Sequence, residues 1–351
     1  MKVKKNTYLS LFVYLLLTLT TFALTELAAL YPEFIERTYS QGMYPTIAKL
    51  LSFFSTRLPF SLDDAFYALM VTWLMLLPLL AIFKRIRWKK VLLHWLGTLA
   101  LVYVCFYWFW GFNYYRNDLE TRLNFVEAKT DSVELMNVFR QLINECNQTY
   151  SQLDSTEYAI FCQLIEKEYA LQADFLQIDA DLCSTRPKNI TLSRFFAAAT
   201  IGGYYGPFFS EVHVNAYLLP MEYPAILAHE LAHRYGITDE SEANFYAWYV
   251  CSQTKDKRIQ YSGHLHLLGY FLPHVYNLDG AEALLKTIRP EVKADYRRHI
   301  KHWRALMNRE VEEVAHKVND AYLKTNKVEG GIDDYDGVVK HVMDFYNTVN
   351  H

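Results

Sequence analysis

The sequence predicts a mainly α-helical protein in two parts: three N-terminal transmembrane helices, then a mostly helical domain with a small strand component. Three observations predict it. Apolar stretches long enough to cross a bilayer are confined to the first third, helical periodicity follows them, and the charge balance reverses between the parts. Residues 1–113 carry 11 Lys+Arg against 5 Asp+Glu, whereas residues 114–351 carry 24 against 33, so a basic part precedes an acidic one. With 52% hydrophobic and 16% aromatic residues, the 351-residue chain is neither disordered nor fibrous. An acidic distal part with no basic run argues against nucleic-acid binding.

A helical crossing takes about 20 apolar residues. The expected spans are residues 8–30, 65–83 and 91–112, the last crowded with aromatics (Tyr103, Phe106, Tyr107, Trp108, Phe109, Trp110) as befits an interface. The first could be a cleaved signal peptide behind Lys2, Lys4 and Lys5, but its long core and the lack of a small-x-small cleavage site favour an uncleaved anchor. Those lysines, together with Lys84, Arg85, Arg87, Lys89 and Lys90 between spans two and three, put both segments on the cytoplasmic side. The expected setting is therefore a multi-pass protein of the bacterial inner membrane, with residues 114–351 outside the cytoplasm, in the periplasm. Between spans one and two, Ile47, Leu50, Leu51 and Phe54 recur at helical spacing, so residues 43–57 read as an interfacial helix or as packing against the spans. In an oxidising compartment Cys146, Cys162, Cys183 and Cys251 could pair; no CxxC spacing marks a cysteine metal site.

In the distal part, residues 130–180 have helical periodicity (Val133, Leu135, Val138, Leu142, Ile143). Gly202, Gly203, Gly206 and Pro207 then mark irregular backbone. Val212, Val214, Ala216 and Leu218 alternate with His213, Asn215 and Tyr217, the period of a strand. A helix is expected from Pro224, another over Glu240 to Cys251, and helical pattern again from about Arg297 to Thr325.

The helix from Pro224 carries the chemistry. It reads Ala225-Ile-Leu-Ala-His229-Glu230-Leu-Ala-His233-Arg-Tyr-Gly236. Histidines at i and i+4 leave one helical face a turn apart, so both imidazoles can reach one metal ion. Glu230 lies about 100° round the helix from His229, where it can reach a water on the metal without ligating it. This is the HExxH arrangement of zinc peptidases. The bland reading is a helix with surface histidines in ion pairs. An otherwise apolar helix, a preceding strand and a terminal glycine favour Zn²⁺.

A catalytic zinc needs a third protein ligand and an open position. Glu242, opening the next helix, is the preferred candidate; Asp239 would complete HExxHxxGxxD, but no methionine turn accompanies it. The alternative for this pair is a capping box, Asp239 at N-cap and Glu242 at N3. Glu240 reads either as a partner that holds a histidine ring or as an exposed helix-start residue. Glu211 to Leu218 is placed in sequence to be an edge strand that pairs with an extended substrate, or else a purely structural strand. Tyr261, His264, His266 and Tyr322 are candidates to stabilise an oxyanion, with no spacing to choose among them.

Together with Tyr31-Pro-Glu-Phe, Leu58-Pro-Phe-Ser, Trp110-Gly-Phe-Asn-Tyr-Tyr-Arg116, Tyr205-Gly-Pro-Phe, Glu211, Asn215, Glu242-Ala-Asn-Phe and Asn319-Asp-Ala-Tyr-Leu-Lys324, this helix resembles the bacterial membrane-protein family known as domain of unknown function 3810. The resemblance implies three N-terminal spans and a zincin-like domain, with Glu242 in a shared block. The expected function is a membrane-anchored zinc metallopeptidase of gluzincin type acting on a peptide or protein substrate. In it Glu230 activates a zinc-bound water, and His229, His233 and Glu242 hold the metal. The alternative is a non-catalytic membrane sensor or scaffold that retains a metal site. A transporter is a weak third, because Glu26 and His94 give no ion path.

Overall fold

A computed structural model describes residues 2–128, 131–181, 184–326 and 337–350. It divides into two units, Met1–Asn117 with Gly206–Glu211, and Asp118–Tyr205 with Val212–His351. The division thus falls at Asn117 rather than at residue 113, and a short segment expected in the distal domain belongs to the first unit.

The first unit runs through α1 (Lys2–Ala28), α2 (Pro32–Ile35), a π-helical stretch Glu36–Met43, α3 (Tyr44–Ser55), α4 (Leu62–Ile82) and α5 (Trp88–Phe109). Leu9–Ala28, Leu62–Ile82 and Trp88–Phe109 are each long and apolar enough to cross a membrane. They turn large apolar side chains outward; Leu69 is 70% and Met75 66% exposed, a surface suited to lipid and costly in water. α1 and α4 both pack on α5. On α3, Tyr44, Ala48, Ser52 and Ser55 are buried while Leu50 and Phe54 face outward. The Arg116 that closes the Trp110 motif forks onto Glu36, with Nε 2.9 Å and Nη2 2.6 Å from its two oxygens, and both groups are nearly buried. Glu211 closes the start of α4. Its carboxylate accepts from Ser61 Oγ (2.9 Å), Leu62 N (3.1 Å) and Asp63 N (2.9 Å), satisfying N–H groups that a helix start leaves open.

The second unit begins with α6 (Leu119–Leu123), α7 (Ser132–Thr149), α8 (Tyr158–Leu171) and α9 (Ala173–Leu176). A small mixed region follows: β1 (Lys188–Asn189), α10 (Ser193–Ala198), β2 (Gly203–Gly206) and β3 (Glu211–Val214). Then come α11 (Tyr223–Arg234), α12 (Glu240–Gln253), α13 (Lys257–Val275), α14 (Ala281–Lys286), α15 (Pro290–Leu306), α16 (Arg309–Thr325) and α17 (Gly337–Asn350). α11, α12 and α13 pack on one another, with α7 against α13, α8 against α11 and α17 against α12. Phe139, Phe161, Phe245, Phe271 and Tyr246 are fully buried among them, each burial removing roughly 1.5–3 kcal/mol of apolar exposure. Tyr169 on α8 donates to the Ala228 carbonyl (2.7 Å) and so ties α8 to the HExxH helix.

The structure departs from several of these expectations. The strand ends at Val214 instead of Leu218, because the Asn215 side chain accepts from Tyr217 N (3.0 Å) and turns the chain. The sheet order is β1-β3-β2, with β1 parallel to β3 and Lys188 opposite His213, so β3 is the central strand and has no free edge for a substrate. The pattern from Arg297 to Thr325 is two helices, since Asn308 accepts from Glu310 N and Val311 N and starts α16 afresh. Cys146, Cys162 and Cys251 are free buried thiols; Cys183 lies outside the described residues.

Candidate metal centre

Pro224 in its first turn starts α11, and Gly236 ends it at φ +84°, where a side chain would be strained. Ile237 N then bonds Ala232 O (3.1 Å), which folds the chain back over the last turn. That fold brings the Ile237 carbonyl to His233 Nδ1 (2.7 Å). From the next helix, Asn244 Oδ1 lies 2.9 Å from His229 Nδ1. A carbonyl oxygen only accepts, so both rings carry their proton on Nδ1 and present the Nε2 lone pair.

These lone pairs meet. His229 Nε2 and His233 Nε2 are 3.0 Å apart, and Glu240 Oε2 is 3.1 Å from the first and 3.6 Å from the second. The ligand atoms of His229, His233 and Glu240 all lie within 4.8 Å of one another, a group that could hold a metal ion. Electron-rich atoms so disposed repel unless positive charge sits among them. The electrostatics register that demand. Burial works against a charge on His233, yet the carboxylates of Glu240 and Glu230 and the Ile237 carbonyl raise its pKa to about 9. Glu240, though burial pushes it up, is held well below the usual carboxylate range by the two imidazoles.

Glu230 stands beside this group. It is 4% exposed, and its Oε2 has no hydrogen-bond partner among the described residues. Burial, opposed by the two histidines and reinforced by Glu240, raises its pKa to about 7. Strand β2 lies directly on it: a Cβ at Gly203 would come within 2.5 Å of Glu230 Oε1, so only glycine lets the strand approach. As the last strand in the sheet order, β2 is an edge strand.

The structure does not bring Glu242 to the group. Two positions apart on a helix are about 200° apart in direction, so Glu240 and Glu242 cannot both face α11. Glu240 shares its face with Asn244, four residues on, and both reach the imidazoles. Glu242 shares the other face with Tyr246, and there it is ion-paired with buried Arg122, whose Nη1 donates to Tyr246 Oη (2.6 Å). Asp239 is the N-cap of α12, accepting from Glu242 N (2.8 Å) and Ser241 Oγ (2.6 Å), so it too is occupied elsewhere. Of the four oxyanion candidates, His266 adjoins the group's supporting residues, with Nε2 3.3 Å from Asn244 Oδ1. Burial, aided by His229 and His299, drives its pKa to about 3. Tyr261 donates to Asp295, and His264 Nδ1 lies 3.6 Å from Glu145. From sequence Gly203 reads only as irregular backbone and Asn244 only as part of the Glu242-Ala-Asn-Phe block; the i, i+4 spacing of Glu240 and Asn244 is the signal that would have placed Asn244 at the site.

The Arg122–Glu242 pair has a measurable consequence. Arg122→Ala leaves a buried carboxylate uncompensated and is expected to destabilise the second unit by about 3–5 kcal/mol while metal affinity holds. Thermal unfolding and metal titration of the variant check the two halves separately.

Three apolar helices joined to a mostly helical domain with one His/His/Glu group define a class: a membrane-integral protein with a candidate metal centre. Within it, the chain belongs to the family described as Protein of unknown function (DUF3810), whose model matches residues 39–343. No curated protein and no solved structure matches it.

Proposed function

We propose that this chain is a membrane-anchored zinc metallopeptidase of gluzincin type, with His229, His233 and Glu240 holding Zn²⁺. The observation that carries the reading is the convergence of two Nε2 lone pairs and one carboxylate oxygen beside a buried glutamate whose Oε2 has no hydrogen-bond partner among the described residues. Two imidazoles and a carboxylate are a zinc donor set, and three protein ligands leave a position open. A zinc ion held there supplies Lewis acidity, polarising a carbonyl and acidifying water.

The chain's own residues do the rest. Asn244 and Ile237 fix the tautomers so that both rings keep Nε2 free for the metal. Glu230, poised by burial at about 7, takes a proton from the attacking water at Oε2 and delivers it to the leaving amine. As an outer strand in the sheet order, β2 is where an extended peptide would add, and its Gly203 end would set that peptide over Glu230. This role moves from Glu211–Leu218 to β2. The basic residues Lys84, Arg85, Arg87, Lys89 and Lys90 between α4 and α5 support a cytoplasmic position for that loop in an inner membrane. Peptide hydrolysis would then take place in the periplasm.

The test is digestion of a peptide library by the purified full chain, followed by mass spectrometry. Cleavage that a chelator stops and zinc restores is the expected result. A chain that binds zinc and cleaves nothing overturns the peptidase and leaves a metal-binding sensor or scaffold.

A further inference from the structure

The acidic distal part conceals a basic face. α15 carries Lys293, Arg297, Arg298, Lys301 and Arg304 against only Glu291 and Asp295. Both acids are engaged, Glu291 with Arg289 (3.3 Å) and Asp295 with the Tyr261 hydroxyl (2.8 Å). At about 100° per residue, Arg297, Lys301 and Arg304 fall within about 60° of one another, with Arg298 adjoining. Val292 and Trp303 bury the opposite side, so these four cations face outward. Among the described residues none of the four has an ion pair or a hydrogen-bond partner.

Apolar side chains lie exposed around the end of this helix. Ile300 and Met307 are each 37% exposed, and on the neighbouring 190–198 segment Leu192 is 63% and Phe195 59% exposed. An open groove of about 780 Å³ runs past Leu192, Arg194, Phe195, Tyr217, Asn308 and Val311. Unpaired cations next to exposed apolar groups are the composition of a surface that settles on anionic headgroups and dips side chains into the acyl boundary. Three helices of this chain are long and apolar enough to cross a membrane, which would keep a bilayer within reach of this face.

We infer that the face of α15 bearing Arg297, Arg298, Lys301 and Arg304 docks on anionic phospholipid headgroups. This does not depend on the metal centre. The test uses the full chain in nanodiscs, either of phosphatidylcholine alone or with phosphatidylglycerol added. Labelling of Lys301 by a water-soluble amine reagent is followed by mass spectrometry, with exposed Lys255 as control. The expected result is about five-fold slower labelling of Lys301 in the anionic discs, reversed by high salt, with Lys255 unchanged. In the variant R297E/R298E/R304E the protection should vanish. Equal labelling in the two discs overturns the inference. So does equal protection by soluble inorganic phosphate, which would indicate a free-anion site, or protection by polyglutamate but not by phosphatidylglycerol, which would assign the face to an acidic protein.

Discussion

Glu240→Ala is expected to lower zinc affinity by more than about 100-fold, since loss even of an outer partner of a ligand costs about 10–100-fold. The reasoning is geometric. Glu240 supplies a carboxylate oxygen within reach of both Nε2 atoms, at 3.1 and 3.6 Å. Its removal leaves two imidazoles, too few for a stable tetrahedral site. Zinc titration against a chelating competitor measures the change. The matched control is Glu242→Ala, whose carboxylate belongs to Arg122: it should keep the metal and lose stability. If Glu242→Ala releases zinc and Glu240→Ala does not, the third ligand has been misassigned.

Glu230→Gln is expected to leave zinc bound and to cut turnover by about 10²–10⁴-fold, the range that a positioned general base supplies. The amide keeps the size and burial of the side chain but has no basic oxygen to take the proton. Because Gly203 leaves so little room, the isosteric change is preferable to alanine, which would open space under β2. Peptide hydrolysis measured beside metal content separates the roles. A variant that cleaves as fast as the parent removes Glu230 from the chemistry.

Much of this was readable in the sequence wherever the physics is local. The three long apolar helices are legible because a bilayer demands long apolar runs: the spans expected over 65–83 and 91–112 fall on Leu62–Ile82 and Trp88–Phe109 within three residues at each end. His229 and His233 are legible as a pair because i and i+4 share a helical face. The third carboxylate was not, because choosing between Glu240 and Glu242 requires knowing which face of α12 meets α11. That is set by Asp239 at the cap and by Arg122, 120 residues from its partner Glu242. The strand was mislocated for the same kind of reason. Alternation from Val212 to Leu218 is real in the sequence, but the Asn215 turn and the order β1-β3-β2 depend on distant partners. Glu211 likewise gave no hint that it closes the start of a helix 150 residues earlier.

The most direct test of the shared cation is zinc K-edge X-ray absorption on the purified full chain, with wild type beside Glu240→Ala. One zinc per chain is predicted, with nitrogen and oxygen ligands at about 2.0–2.2 Å, imidazole scattering, and loss of the signal in the variant. Sulfur ligands at about 2.3 Å, or a spectrum unchanged by Glu240→Ala, would contradict it.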